Sequence, residues 1–518
     1  MASRSTACRT VTISMAQDYT VPHVRIAIVG SGFGGIGTAI RLKQEGIEDF
    51  LVFERAEEVG GVWRDNRYPG CACDVQSRLY SFSFAPNSRW SRRYSPQSEI
   101  WEYLRWCTRE FGIFPHLRFG HEVHGATWEE VEARWRIETS EGSYTAEVLV
   151  AAPGALSEPR IPELPGLVSF QGRVLHSAQW DEQVELAGRR VAVVGTGASA
   201  IQIVPAIQPL VEKLVLFQRT PPWIVPLHDR ALSGRVGRWS ERLPLLGRRL
   251  RSGIYGVREL FGLPFRSPRL ARLTERAARR HLRRQISDPA LREKLTPDYT
   301  MGCKRILLSD DFYPTLTQPN VELVDGGVVE IRPRGVVGAD GVERAADVVV
   351  FATGFQVTEF PFGERIRGRE GRSLAEQWGA SPRAHLGTTV AGFPNLFLLQ
   401  GPNTGLGHSS VILMIEAQIE HLVNALRYME AHGVRAVEPR EEAQEAFVRE
   451  VDRRMEGTVW TSGGCRSWYL DETGRNSTLW PGSVGSFRRR VAPFRPREYR
   501  LCRVSPSAPR PQPERVHA

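Results

Sequence analysis

A strand, a glycine-rich turn, a helix and a second strand follow one another near the start of the sequence. The segment VRIAIVGSGFGGIGTAIRLKQEG begins as a buried parallel strand, turns at Gly30, Gly32 and Gly35, and continues with the apolar spacing of a helix. LVFERA then forms a strand that ends in Glu54. The glycines allow a tight turn and a close approach to a pyrophosphate at the helix N-terminus, and Glu54 can accept hydrogen bonds from a ribose diol. Because all these parts occur at the expected spacing, the segment predicts a dinucleotide-binding unit.

The same pattern occurs again in RRVAVVGTGASAIQIVPAI, and the strand LVLFQRT follows it. At the expected acidic position the second unit has Gln218 and Arg219. An arginine favours a ligand with a 2′-phosphate, whereas an acid would repel one, so the first unit suits FAD and the second NADPH. A solvated surface charge is an alternative interpretation of Arg219. The candidate NADPH-binding residues of this unit are Gly195, Gly197, Ser199, Ala200, Arg219 and Thr220.

The chain of 518 residues is too long for one hydrophobic core, so we expect several packed units. Further buried strands are predicted in EVLVAAPG (147–154) and ADVVVFATGF (346–355), and residues 225–295 are Arg-rich with helical periodicity. The predicted fold is α/β, with two three-layer, Rossmann-like domains and a small helical insertion. Its predicted segments are a flexible leader (1–23), an FAD-binding domain in two parts (24–155 and 336–500), an NADP-binding domain between them (156–335, with the insertion at about 225–295), and a disordered basic tail (501–518).

Composition limits the possible partners. No apolar stretch approaches the roughly 20 residues of a membrane span, and the leader lacks the apolar core of a signal peptide, so we expect a cytoplasmic protein. The net charge of +10 is concentrated after Pro481, where no nucleic-acid-binding motif accompanies the arginines. The Arg-rich insertion is interpreted as a plain amphipathic surface. We therefore expect neither a nucleic acid nor a membrane as partner, and a monomer or weak homodimer.

The seven cysteines are odd in number and scattered, which argues against a disulfide framework and favours a reducing compartment. Cys71 and Cys73 form a C-x-C pair, but no second Cys/His pair lies near them in the sequence. The sequence therefore predicts no metal site.

Two signatures accompany the dinucleotide motifs. The pattern F-x-G-x-x-x-H-x-x-x-W is formed by Phe170, Gly172, His176 and Trp180, just before the second glycine-rich turn. GGVWRDNRYPGCACD, which ends at Asp74, contains G-x-W, then Tyr-Pro-Gly and an aspartate. Together with GCKR, ATGF, GFPNLF and SWY further along the chain, these signatures resemble those of Baeyer-Villiger monooxygenases, and the resemblance spans residues 24 to about 500.

The resemblance implies an enzyme that uses FAD, NADPH and O2 to insert one oxygen atom next to a ketone carbonyl, through a 4a-peroxyflavin, giving an ester or lactone. Arg305 matches the catalytic arginine of the family, and Asp74 matches the carboxylate that orients it. The structural alternative for this pair is a buried salt bridge between domains. Lys304 is expected to bind the 2′-phosphate with Arg219. The other residues implied for cofactor binding are Trp63, Tyr80 and Trp468, the last on a mobile loop.

The role of the FxGxxxHxxxW segment is less direct. His176 and Trp180 are four residues apart and could share one face of a helix or turn. By resemblance the segment couples domain motion to cofactor handling, and His176 is not assigned as a general base. A linker that pins one domain to another is the structural alternative.

Other functions remain as alternatives. A flavin monooxygenase that oxygenates nitrogen or sulfur would share both dinucleotide motifs, but the corresponding motif resembles this one with Phe or Tyr in place of Trp180. A flavin disulfide reductase needs a redox cysteine pair, which C-x-C fits poorly. Residues 400–415 and the 460s are expected to form substrate-pocket walls, and they do not distinguish steroid, terpenoid, polyketide or small cyclic ketones.

Overall fold

The computed structural model describes residues 21–233, 242–358 and 360–503. Most of the predicted leader and residues 504–518 of the predicted tail lie outside the described residues. The predicted tail begins too early, because residues 501–503 belong to a strand that pairs with another. The helices are α1 (Phe33–Gln44), α2 (Val62–Asp65), α3 (Gln97–Glu110), α4 (Ala200–Ile207), α5 (Pro244–Phe261), α6 (Pro268–Gln285), α7 (Pro289–Lys294), α8 (Phe312–Thr315), α9 (Leu374–Trp378), α10 (Val411–His432), α11 (Glu441–Met455), α12 (Val459–Ser462) and α13 (Val484–Val491).

Among the described residues the strands form two larger sheets, one three-stranded sheet and two short pairs. They are β1 (His23–Val29), β2 (Phe50–Phe53), β3 (Leu117–Arg118), β4 (Val123–Glu129), β5 (Arg134–Thr139), β6 (Gly142–Ala151), β7 (Arg173–His176), β8 (Arg190–Val194), β9 (Lys213–Gln218), β10 (Ile224–Val225), β11 (Leu307–Leu308), β12 (Val321–Asp325), β13 (Val328–Arg332), β14 (Gly335–Gly338), β15 (Glu343–Ala345), β16 (Val348–Phe351), β17 (Ile366–Arg367), β18 (Leu396–Leu398), β19 (Val434–Pro439) and β20 (Tyr499–Arg503).

The first sheet has the order β17-β4-β5-β6-β1-β2-β3, with β18 paired to β6. Strands β6, β1, β2, β3 and β18 run parallel, whereas β4 and β5 form an antiparallel meander with β6. Apolar residues of α1, α3 and α10 cover one face of the parallel strands in a continuous core. The buried Trp135 and its neighbours form the core of the other face.

The second sheet has the order β12-β9-β8-β16-β7, with all four pairings parallel. Apolar residues of α4 and α8 pack on it. The predicted α/β fold with Rossmann-like domains is confirmed, with a mixed first sheet and a parallel second sheet. One assignment is wrong: β16, within ADVVVFATGF, lies in the second sheet and does not close the first, so the boundary predicted at residue 335 falls too early. A short run buried on both faces suits the centre of either parallel sheet, so its pattern could not decide between them.

The chain crosses between the two sheets twice, once after β6 and once after β16. These two crossings are hydrogen-bonded to each other: Arg160 N donates to Gly354 O at 2.9 Å, and Gln356 N donates to Glu158 O at 3.0 Å. Pro159 and Phe355 form an antiparallel bridge between the same segments. The second sheet is therefore joined to the first by a short two-stranded connection.

The predicted helical insertion contains α5, α6 and α7, which follow one another closely in the chain. Among the described helices, none combines the length and the apolar composition that a membrane-spanning segment requires.

Candidate active site

The first glycine-rich turn is shaped for close backbone approach. Gly30 has φ +95°, and a Cβ there would lie 2.5 Å from Ala152 O. A Cβ on Gly35 would lie 1.8 Å from Gly30 O, so the start of α1 is pressed against the turn. At Gly32 the nearest heavy atom would be 3.7 Å away, at ordinary contact distance. The turn thus combines tight internal packing with room beside Gly32 at the helix N-terminus, which fits a pyrophosphate.

Glu54 follows β2 and is buried beside this turn. Its Oε2 accepts hydrogen bonds from Ser31 N at 3.0 Å and Ser31 Oγ at 2.7 Å, and its Oε1 lies 3.1 Å from Arg64 Nη1. Burial raises the pKa of Glu54, but Arg64 and the hydrogen bonds outweigh it and hold the pKa below the ordinary value. Glu54 is therefore an ionised acceptor, as a ribose diol requires.

Trp63 and Tyr80 lie next to the first turn and contact each other. Trp63 Nε1 donates to Tyr80 Oη at 3.0 Å, and the rings meet edge to face with centroids 5.5 Å apart. Tyr80 also packs edge to face on Phe33, the first residue of α1. The structure thus places both aromatic candidates beside the turn formed by the first motif.

The second turn is built in the same way but is more open. Gly195 has φ +108°, and a Cβ there would lie 2.7 Å from Ala352 O, whereas a Cβ on Gly197 would meet no atom within 4 Å. Ser199 precedes α4, and Ala200 is fully buried as its first residue. The open side of Gly197 is where a second pyrophosphate would approach.

Two cations lie near this second turn. Arg219 directly follows β9, and Lys304 lies close enough that its pKa is lowered, first by burial and then by repulsion from Arg219. Lys304 Nζ lies 4.9 Å from the centroid of the Tyr299 ring. Thr196 Oγ1 donates to Thr220 O at 3.0 Å, which ties the end of β9 to the turn. Gln218, by contrast, is buried and donates to Lys294 O, so it faces away from this site.

Asp74 and Arg305 are brought together although they lie far apart in the sequence. Arg305 Nη2 and Nε donate to Asp74 Oδ2 at 2.6 and 3.1 Å. Burial raises the pKa of Asp74, but Arg305 outweighs it and the pKa is lowered. Asp74 in turn raises the pKa of Arg305, so both groups are charged. The Arg305 and Asp74 side chains keep 36% and 23% of their surfaces exposed, so the pair remains accessible.

The segment that carries Asp74 also contacts the second domain. Gln202 of α4 accepts a hydrogen bond from Tyr68 Oη at 3.0 Å and donates one to Ala72 O at 2.9 Å. A Cβ on Gly70 would lie 2.6 Å from Gln202 O, so the backbones are in close contact. The Asp74–Arg305 pair is therefore located at the junction of the two dinucleotide units.

Two further residues reach this pair and were not singled out from the sequence. Arg258 of α5 donates from Nη2 to Asp74 O at 3.0 Å. Tyr469 is fully buried, and its hydroxyl has no hydrogen-bond partner among the described residues. Burial raises the pKa of Tyr469 to about 12; Arg305 lowers this pKa and Asp74 raises it. Tyr469 follows Trp468 in the SWY motif, which was the available signal, whereas Arg258 lies in an Arg-rich helix that offers none.

A disulfide joins Cys303 to Cys465 across 162 residues. It connects the turn that carries Lys304 and Arg305 to the loop that carries Trp468. The sequence argument against disulfides is therefore wrong for this pair, because sequence spacing does not show which cysteines meet in the fold. Trp468 itself is half-exposed, and its ring centroid lies 4.4 Å from that of Tyr469.

The FxGxxxHxxxW segment forms the edge strand of the second sheet. His176 is the last residue of β7 and pairs with Phe351, and a turn follows in which Gln179 N donates to His176 O. The segment is thus a strand and a turn, not a helix. A Cβ on Gly172 would lie 2.3 Å from Asp347 O and 2.7 Å from the Phe170 ring, which explains the glycine.

His176 and Trp180 point into the protein at the end of β7. His176 is buried, which lowers its pKa, and its Nε2 has no hydrogen-bond partner among the described residues. Its ring meets Phe355 edge to face at 6.2 Å. Trp180 packs against the core cluster that contains Tyr68, a residue of the Asp74 segment. These contacts connect the segment to the junction between the sheets.

Two dinucleotide turns with an ion pair at their junction define a flavin- and nicotinamide-nucleotide-binding oxidoreductase. Comparison with known proteins specifies the family. The model of a family described as flavin-binding monooxygenase-like matches residues 23–234. A Baeyer-Villiger monooxygenase of Streptomyces coelicolor is 52% identical over 94% of each chain, and one of Pseudomonas aeruginosa is 46% identical over 92% of each.

Solved structures agree. Cyclohexanone monooxygenase from Rhodococcus sp. Phi1, bound to NADP+, superposes with a TM-score of 0.84 at 31% identity, over 94% of this chain and all of that one. A steroid monooxygenase bound to NADP gives 0.83 at 30% identity, over 93% of this chain and all of the other. The chain belongs to the Baeyer-Villiger monooxygenase family, which confirms the family that its signatures resemble.

Proposed function

We propose that this protein is an FAD- and NADPH-dependent Baeyer-Villiger monooxygenase that inserts one oxygen atom of O2 next to a ketone carbonyl, giving an ester or lactone. The charged Asp74–Arg305 pair at the junction of two dinucleotide turns carries this proposal. The names of the similar proteins support the same activity.

The residues at the two turns fit both cofactors. Glu54 would bind the ribose of FAD, and the tight turn formed with Gly30 and Gly35 leaves space beside Gly32 for its pyrophosphate. Trp63 and Tyr80 would contact the same cofactor. NADPH would bind over Gly195, Gly197, Ser199 and Ala200, with Arg219, Thr220 and Lys304 at its 2′-phosphate and Trp468 closing over it. Bound flavin, once reduced by NADPH, supplies the activation of O2.

The protein contributes charge and geometry at the reaction site. Arg305 keeps its positive charge at any working pH and stabilises negative charge that develops on oxygen when a carbonyl is attacked. Asp74 fixes the position of Arg305 through two hydrogen bonds. The Tyr469 hydroxyl, which has no hydrogen-bond partner among the described residues, would donate there as well. The FxGxxxHxxxW segment, with Phe170, Gly172, His176 and Trp180, transmits movement between the domains.

The substrate is a ketone whose pocket is formed in part by residues 400–415 and the 460s. Within residues 400–415, Ser409 and Ser410 are buried and His408 is partly buried, and each has a side-chain polar atom with no hydrogen-bond partner among the described residues. His408 Nε2 lies 3.8 Å from Glu259 of α5. Such groups can bind and orient polar atoms of a ketone substrate.

The predictions of a cytoplasmic location and of a monomer or weak homodimer are kept as part of this proposal.

One experiment tests the function directly. The purified protein, loaded with FAD, is mixed in air with NADPH and a panel of cyclic, aryl and steroid ketones, and products are identified by mass and regiochemistry. Wild type should form an ester. Arg305→Ala should still oxidise NADPH but lose ester formation by a factor on the order of 10² to 10³. Arg332→Ala, on an exposed ion pair, is the matched control and should behave as wild type. Oxygenation of amines or sulfides without ester would favour the alternative activity, and ester formation by Arg305→Ala at the wild-type rate would overturn the role of Arg305.

A further inference from the structure

The helical insertion exposes a group of apolar side chains where α5 ends and α6 begins. Leu260, Phe261 and Leu273 keep 65%, 61% and 58% of their surfaces exposed. Single exposed apolar residues are common on protein surfaces, but a group of them close together marks an interaction surface. We call this surface the corner patch, and its members are Val257, Leu260, Phe261, Leu263, Leu270 and Leu273.

The opposite face of α5 is firmly attached to the protein, which fixes the orientation of the patch. Arg251 Nη1 donates to Arg78 O at 2.7 Å, and Arg258 donates to Asp74 O at 3.0 Å. Tyr255 Oη accepts a hydrogen bond from Gly485 N at 3.1 Å. Val257, Leu260 and Phe261, the members of the corner patch on α5, are therefore exposed on a helix whose other side is already bound.

Arginines surround the corner patch. Arg266, Arg269, Arg272 and Arg276 are exposed, and none of them forms an ion pair within the part of the chain that the structure describes. Glu275, the acid of α6, accepts a hydrogen bond from Met301 N at 3.0 Å. Apolar side chains bordered by unpaired arginines are the pattern of a helix that lies on an anionic lipid surface.

Charge decides between the possible occupants. Residues 1–20 and 504–518 each contain two arginines and one acid, so both ends of the chain carry the same sign as the patch. A second copy docked through the same face would bring like charges together. An anionic surface, unlike the chain ends or a second copy, is opposite in charge to the arginines around the patch.

We propose that the corner patch docks this protein on anionic phospholipid bilayers, with its leucines at the acyl boundary and its arginines on the lipid phosphates. From the sequence, the insertion was interpreted as a plain amphipathic surface without a membrane partner. The proposal differs because the sequence did not show that these leucines are exposed. Because α5 also contacts Asp74, the docked surface lies one helix away from the proposed site. If the proposed function holds, lipophilic ketones dissolved in the bilayer reach the enzyme there.

The docking is tested by co-sedimentation of the full-length, FAD-loaded protein with vesicles of phosphatidylcholine, with and without phosphatidylglycerol. Binding should require phosphatidylglycerol and decrease with added salt. Leu260→Ser with Leu273→Ser should abolish it, and Arg269→Gln, Arg272→Gln and Arg276→Gln together should weaken it on the order of a hundredfold. The assay needs no turnover, so its result is independent of the oxygenase activity.

Matched controls change exposed aliphatic residues and exposed arginines elsewhere on the surface. They are Val131→Ser with Val168→Ser, and Arg440→Gln, Arg453→Gln and Arg497→Gln together, and all should bind vesicles as wild type does. Thermal unfolding checks that each variant is folded. Absence of binding, equal binding to both vesicle types, or self-association that Leu260→Ser with Leu273→Ser removes without any vesicle binding would each overturn the proposal.

Discussion

Arg305 donates two hydrogen bonds to a single carboxylate oxygen of Asp74, at 2.6 and 3.1 Å, at the junction of the two dinucleotide units. The second oxygen of Asp74 is left for other donors, and the remaining N–H groups of Arg305 are free of this pair. The arrangement positions a permanent cation while leaving part of its donor capacity available to a ligand.

The charge of Asp74 should affect stability in a pH-dependent way. Its pKa is lowered in the folded protein, so the pair stabilises the fold above about pH 4, the ordinary pKa of an aspartate, and this contribution is lost as the pH falls through the lower, folded value. Asp74→Asn should therefore lower Tm at pH 7, and the difference from wild type should shrink below about pH 4. Glu330→Gln, in an exposed pair, should change Tm little at any pH. A difference for Asp74→Asn that is unchanged by acid would contradict the charge assignment.

Arg219 and Lys304 should distinguish NADPH from NADH. Each charged hydrogen bond to the 2′-phosphate contributes about 1.5–3 kcal/mol, so the double variant Arg219→Ala with Lys304→Ala should raise KM for NADPH on the order of a hundredfold or more. KM for NADH, which lacks the phosphate, should change little. Lys213→Ala at the start of β9, where Lys213 pairs with Glu322, is the control. An equal increase in KM for NADPH and for NADH would mean that these cations have a structural role.

Gly197 and Gly35 should respond differently to alanine. A Cβ on Gly197 meets no protein atom within 4 Å, so Gly197→Ala should keep the wild-type Tm while its methyl group obstructs the pyrophosphate, raising KM for NADPH by about tenfold or more. A Cβ on Gly35 would lie 1.8 Å from Gly30 O, so Gly35→Ala should lower Tm sharply. Normal NADPH kinetics in Gly197→Ala would show that the cofactor does not approach this side.

The Cys303–Cys465 disulfide should be measurable in the purified protein. Alkylation of the unfolded chain without reductant should modify Cys71, Cys73, Cys107 and Cys502 but not these two, and a dithiol should release them. Cys303→Ser with Cys465→Ser should lower the free energy of unfolding by about 2–4 kcal/mol, measured by denaturant titration. Cys502→Ser, at an exposed free cysteine, should leave it unchanged. Complete alkylation without reductant would mean that the bond does not form in solution.

Local motifs explain why much of the site was predictable. The turns at Gly30 and Gly195 lie where strand, glycine spacing and helix place them, because that order of elements forces a phosphate-sized opening at a helix N-terminus. The Asp74–Arg305 pair was expected from two motifs far apart in the chain. The sequence did not show that this pair lies at the junction or that Gln202 contacts the Asp74 segment. Both depend on how the two units pack together.

Other features depend on tertiary contacts that carry no local pattern. The strand Val348–Phe351 is apolar throughout, so its sequence fits either sheet, and the pairing with β7 and β8 decides its place. Arg258 is one arginine among many in its helix, and only the fold brings it to Asp74. The pairing of Cys303 with Cys465 likewise arises from the approach of two distant loops.

The paired crossings between the sheets constrain how the cofactor sites can move. Two separate tethers would permit twisting as well as opening, but here Arg160 and Gln356 bond each crossing to the other, so both must bend as one ribbon. Such a ribbon flexes easily across its flat face and resists bending in its plane. The second sheet should therefore move relative to the first mainly by bending of this ribbon, within the range that the Cys303–Cys465 disulfide allows.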